Sequence, residues 1–266
     1  MTTAEHVAPR PIGELLRSWR ERRRLSQMDL ALDAEISTRH LSFVETGRSA
    51  PSRDMVLRLA DQLEVPLRER NQLLLAGGYA PVYSQASLDA PELTEVRAAV
   101  RQVLAGHEPY PAAAVDRHWN LIEANSGIAL MTEGVDPELL QPPANAMRLA
   151  THPGGLAPRI ANLGEWRVHL ISRLRRQVAL TADPVLADLY DEVRAYPCDD
   201  EQPDVEVPAS GEVFVPLRLR HGDGDGELRF FSTVTTFGTP LDVTVAELAI
   251  ESFFPADEAT AAALRG

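Results

Sequence analysis

Lysine is absent from this 266-residue sequence, and all 26 of its basic side chains are arginine. Arginine's planar fork suits phosphate recognition. The absence runs through the whole chain, however, so it reads as a codon-composition bias rather than the imprint of a partner. Cysteine is nearly absent too. Cys198 stands alone, which excludes an intrachain disulfide and fits a reducing compartment, and its acidic surroundings would raise rather than lower a thiol pKa. No apolar run approaches the length of a bilayer span, and the first residues lack the apolar core of a secretory signal. The expectation is a soluble cytoplasmic protein with no membrane partner. Signs of catalysis are missing as well. The seven histidines are scattered, and none forms an HxH, HxxxH or HExxH spacing. HGDGDG (221–226) lacks the basic residue and following helix of a phosphate loop, and reads as a hairpin turn. No nucleophile–base pair can be made out, so no catalytic residue, metal ligand or cofactor is expected, and the chain is not expected to be an enzyme.

What is present is enough apolar material, 44% of residues, for a sizeable core in each of two domains. The net charge of −13 argues at first against nucleic acid, but it is unevenly spread. Residues 1–70 hold 12 arginines against 11 acids, and 71–266 hold 14 against 28. One segment is near +1 and the other near −14, so the two are expected to meet different partners.

Residues 1–11 are polar, carry two prolines, and read as a flexible lead. From Ile12 the apolar residues Ile12, Leu15, Leu16 and Trp19 recur at helical spacing. Ser26 with Asp29 is a capping-box variant opening a second helix. Ser37 can cap a third that ends at Gly47. Pro51-Ser52 opens a fourth, and Pro66 starts a fifth that stops at Gly77-Gly78. Residues 77–90 have loop composition, and a connecting helix runs from about Pro91 to Gly106. After Pro109 the texture changes. AAAVDRHWNLIEA holds two short strand-like runs around a polar turn, with Asn125 expected to cap a following helix. Helical stretches follow near 143–151, 158–181 and 184–195. VFVPLRLR and ELRFFSTVTTF then flank the Asp- and Gly-rich turn as a hairpin. TVAELAIESFF fits either a helix capped by Thr244 or a strand.

Helices two and three, about four residues apart, can pack so that helix three is exposed on one side, with Leu41 and Val44 turned inward. Thr38, Arg39, Ser42 and Phe43, spaced i, i+1, i+4, i+5, then share one outward face. A core has no use for that set. The major groove does, since Arg39 can bond guanine O6/N7 and Phe43 can lie against thymine methyls. SQMDLA and the pattern ST..LS..E.GR..PS over Ser37–Ser52 resemble the XRE (lambda- and Cro-like repressor) family of helix-turn-helix DNA-binding domains, over residues 12–77. The resemblance implies an all-α five-helix domain in which Gln27 and Arg48 hold phosphates and Arg20 and Glu45 form an internal ion pair. With Ser37 and Arg53 these complete the candidate contacts to double-stranded DNA. Dimers binding a palindromic operator are expected.

Behind that headpiece, 78–104 reads as linker and connecting helix, and 105–266 as an α+β domain with helices over an antiparallel sheet. PAAAVDRHWNLIEAN, NAMRL, the surroundings of Trp166 and the last strands resemble the MmyB-like ligand-binding domain, a PAS-like fold. That resemblance tips Ala246–Phe254 toward strand, with Asp257 capping a last helix. It implies a pocket for a small, largely apolar ligand, fatty acids or acyl compounds first, and a homodimer is the expected assembly. Trp119, Trp166, Phe230, Phe231 and Phe237 could line such a pocket or could simply be core, and Asn125, Asn145 or Arg148 could meet a polar head group.

Overall fold

The computed structural model describes residues 10–203, 214–221 and 226–265. Most of the N-terminal lead, the middle of the HGDGDG turn and part of the acidic segment PCDDEQPDVEVPASG (197–211), expected from its composition to be a loop, lie outside the described residues. The chain divides into two units. One comprises the residues up to Gln85 together with Leu241–Val243, and the other Ala86–Pro240 and the residues from Thr244 onward.

Five helices build the first unit: α1 (Ile12–Arg22), α2 (Gln27–Asp33), α3 (Thr38–Glu45), α4 (Arg53–Gln62) and α5 (Leu67–Ala76). Their starts follow from local chemistry. Ser26 and Asp29 form a complete capping box, each side chain bonded to the other's backbone N–H, and those bonds hold the Asp29 carboxyl below its usual pKa. Ser37 accepts from the His40 N–H and Ser52 from the Met55 N–H. Their ends share one device. After each helix a residue takes the left-handed conformation: Arg24, Glu35, Gly47, Glu64 and Gly78 in turn. The next N–H then reaches back five residues, as Leu25 does to Arg20, Ile36 to Ala31, Arg48 to Phe43, Val65 to Ala60 and Tyr79 to Leu74. These are Schellman closures. At four ends the closing residue is apolar or aromatic and packs back onto the core, which is built from Leu16, Trp19, Leu30, Leu41, Val44, Leu59 and Leu63. At the end of α3 it is Arg48, exposed. Gly13 lets α1 approach α3, for a Cβ there would stand 2.4 Å from the Val44 carbonyl oxygen. The loop after α5 is held as well: Asn71 bonds the backbone of Val82 and Tyr83, and the Tyr79 hydroxyl donates to the Pro51 carbonyl.

The second unit opens with α6 (Thr94–Gly106), followed by β1 (Ala112–Val115) and β2 (Leu121–Ala124). Then come α7 (Ala129–Thr132), α8 (Ala146–Thr151), α9 (Leu163–Thr181), α10 (Pro184–Ala195), β3 (Leu217–Arg220), β4 (Glu227–Thr236), α11 (Val243–Ala246, whose first residue is counted with the first unit), β5 (Ala249–Pro255) and α12 (Glu258–Arg265). Among the described residues the strands form one five-stranded antiparallel sheet in the order β2-β1-β5-β4-β3. This is the α+β arrangement the pattern implied. Alternation sorts the two faces. Ala112, Ala114 and Ile250 pack with Val100 and Leu104 of α6 on one face. Val115, Leu217, Leu219, Leu228 and Phe230 pack with Trp166, Leu170, Leu174 and Leu189 of α9 and α10 on the other.

Two local expectations are corrected. Strand β5 begins at Ala249 rather than Ala246, because residues 243–246 make one helical turn in which the Thr244 hydroxyl donates to the Ala86 carbonyl instead of capping a helix. Asn125 precedes a short 3-10 turn without capping it. Its side chain accepts from the Ala112 N–H and donates to the Leu104 and Tyr110 carbonyls, pinning β1 to the end of α6. Asp257 does cap α12, accepting from the Thr260 N–H. At the start of α10, Asp183 accepts from Val185 N–H and bonds Arg117 and His118. Burial alone would raise its pKa, yet the His118 hydrogen bond and the Arg117 charge hold it below the usual carboxylate value.

Candidate functional site

The outer face of α3 presents Thr38 and Arg39 exposed and Ser42 and Phe43 half-buried, while Leu41 and Val44 are sealed in the core. Phe43 is clamped. The Arg39 guanidinium lies 5.3 Å from its ring centroid and that of Arg48 5.9 Å. The Schellman closure of α3 brings Arg48 back to this ring, so two cations and an aromatic make one continuous surface. Arg53 is exposed at the first turn of α4, and Ser37 is exposed with its oxygen engaged in the cap.

Behind this face sits the ion pair. Arg20 donates Nε–H to Glu45 Oε1 at 2.7 Å and Nη2–H to Oε2 at 2.9 Å, with Nη1 on the Leu25 carbonyl at 2.8 Å. Both residues are buried, and the Glu45 hydrogen bond raises the Arg20 pKa. Gln27 joins them, its Nε2 donating to Glu45 Oε2 at 2.8 Å. The end of α3, the middle of α1 and the start of α2 are thereby locked into one polar unit. The sequence does not reveal that Gln27 belongs to it.

In the second unit, the α9 side of the sheet encloses a cavity of about 90 Å³. Its wall includes Val115, Trp119, Met131, Met147, Trp166 and Phe253, with Thr132 and Glu251 as its non-aromatic polar members among the described residues. Trp119 reaches it from the β1–β2 turn with φ +68, a left-handed conformation costly for a bulky residue. Its indole N–H donates to Gln177 Oε1 at 2.6 Å, and the Arg173 guanidinium covers the ring 4.3 Å from its centroid. Arg173 also bonds Glu251 Oε1 at 2.8 Å.

Of the expected pocket residues, Trp119 and Trp166 lie in the wall. The others do not. Phe230 is wholly buried in the neighbouring core, and Phe237 packs on the α6 side of the sheet. Asn125 is spent on the backbone as described. Asn145 caps α8 and donates to the His118 carbonyl, and Arg148 is held by both oxygens of Glu192 at 2.8 Å. Polar groups already satisfied by the protein have little left to offer a ligand. Glu251 was missed, although a charge at the centre of the apolar run LAIESFF (248–254) breaks the strand's pattern and is a readable signal.

An exposed helix of a helix-turn-helix, carrying Arg39 and followed closely by Arg48, joined to a domain that holds an apolar cavity, defines a DNA-binding transcription regulator with a ligand-binding domain. Family comparison agrees. Residues 11–73 match the family described as helix-turn-helix domain. Residues 96–266, more than half of the chain, match the MmyB-like transcription regulator ligand binding domain, and the chain belongs to that family. No curated protein matches it. Among the described residues no helix is long and apolar enough to cross a membrane.

Proposed function

We propose that this chain is a homodimeric cytoplasmic regulator that binds a palindromic operator and whose operator affinity is set by a small, largely apolar ligand of acyl type. The observation that carries the reading is the cavity of about 90 Å³ walled by tryptophans and methionines beside the sheet. It is smaller than the roughly 300–1,000 Å³ of most ligand sites, so a long chain enters only if the wall gives way. Met131 and Met147 are unbranched and adaptable, the side chains best suited to yield. Thr38, Arg39, Ser42 and Phe43 read bases, and Arg48, Arg53, Ser37 and Gln27 position the headpiece on phosphates. A ligand regulates only if it binds the two DNA-affinity states unequally.

The test is calorimetric titration of a straight-chain acyl series into the full chain, with and without selected operator DNA. The expected coupling is about 5–150-fold and must be reciprocal, DNA changing ligand affinity by the same factor. Binding without coupling would reduce the cavity to a structural lipid site. Absence of binding would leave the second unit as a dimerisation module.

A further inference from the structure

We infer that Arg39 and Phe43 read one dinucleotide as a unit, a guanine together with a C5-methylated pyrimidine in the neighbouring base pair. Cytosine methylated at C5 then stands in for thymine, and operator binding answers to cytosine methylation. This rests on the reading of α3 as the base-contacting helix and narrows the class of operator. Phe43 is half-buried yet stands outside the headpiece core and the residues packed against it. A large ring in that place has apolar area that the headpiece leaves partly uncovered.

Charge holds the ring. The Arg39 guanidinium, one helical turn earlier, lies over it at 5.3 Å from the centroid, and that of Arg48 lies over it at 5.9 Å. The backbone keeps the arrangement, since the N–H groups of Arg48 and Ser49 both donate to the Phe43 carbonyl, at 2.8 and 3.1 Å. A cation over a ring is held by the ring's quadrupole, and that contact uses up no N–H donor. Arg39 has no hydrogen-bond or carboxylate partner among the described residues, so its fork is available to guanine O6 and N7. An arginine and a ring in contact meet neighbouring base pairs. Cations over the ring leave its edge as the part that can touch a base. The apolar group a base pair offers in the major groove is the C5 methyl of thymine. 5-Methylcytosine carries the same methyl at the same place, whereas uracil and unmodified cytosine lack it.

The experiment uses the full chain. An operator is selected from random DNA, and the base pair at which Arg39→Ala loses preference marks the guanine. Affinity is then measured with the neighbouring thymine replaced by uracil, cytosine or 5-methylcytosine. Thymine is expected to bind tighter than uracil, and 5-methylcytosine tighter than cytosine, by about fourfold per half-site, the worth of burying one methyl-sized group. Phe43→Ala should remove most of both gaps while keeping the preference for guanine. Equal affinity within each pair in the wild type overturns the inference, and that series decides the matter even if the variant does not fold. Gaps that survive Phe43→Ala overturn it too, as does a selected operator with no marked guanine or no thymine beside it. Failure to select any operator removes the DNA-binding reading and this inference with it.

Discussion

Arg39 and Arg20 show how one residue type serves two ends in this headpiece. Arg39 is exposed, with an aromatic ring beside it and no carboxylate partner among the described residues. It is free to seek guanine, and Arg39→Ala is expected to cost about 1–3 kcal/mol per half-site and to relax preference at one base pair. Selection from a random DNA pool measures this, and an unchanged consensus would remove Arg39 from base reading. Arg20 is buried on Glu45. Removing one partner of such a pair strands the other charge and costs roughly 3–5 kcal/mol, whereas replacing both by apolar residues costs far less. Arg20→Met should therefore lower the melting temperature more than Arg20→Met with Glu45→Leu. Simple addition of the two single effects would mean the residues do not interact. Because Gln27 leans on the same carboxylate, Gln27→Ala is a perturbation of this network as well as of DNA binding.

At the scale of elements, the five headpiece helices end alike, yet only Gly47 and Gly78 are glycines where the chain turns left-handed. Arg24, Glu35 and Glu64 adopt that conformation against a steric cost that glycine escapes. Glu35→Gly and Glu64→Gly are each expected to stabilise the headpiece by about 0.5–1 kcal/mol, in the range of other optimised caps. Gly47→Ala should destabilise it by about 1–2 kcal/mol. Thermal melts of the full chain follow both signs. These ends also explain what could be read without coordinates. Ser26, Ser37 and Ser52 announce helices because a cap is settled within four residues of chain, and Leu41 with Val44 marks the inward side of α3 by period alone. The cavity obeys no such local rule. Trp119, Met147, Trp166 and Glu251 converge from a turn, two helices and a strand, and no spacing in the sequence encodes that meeting. Asn125 misled for a related reason: its position is that of a cap, but three backbone groups of neighbouring segments claim its side chain.

For the molecule as a whole, charge is divided between the two stretches of chain, near +1 over residues 1–70 and near −14 beyond. Counterion release from so few excess cations yields weak nonspecific affinity. Operator binding should then depend on two headpieces acting together, on half-sites about 34 Å apart or a multiple of that. Footprinting at physiological salt should protect paired half-sites, and a single half-site held by a monomer would contradict it. One feature of the cavity has an optical consequence. The chain has three tryptophans. Two of them stand in the cavity wall, and Trp19 lies in the headpiece core beside Arg22 and Arg23. With Trp19 replaced by phenylalanine, all remaining indole emission originates at the cavity, one emitter under a guanidinium and both beside the space a guest would fill. The protein thus carries its own fluorophores at the place where occupancy must be read, and needs no attached dye to report what enters.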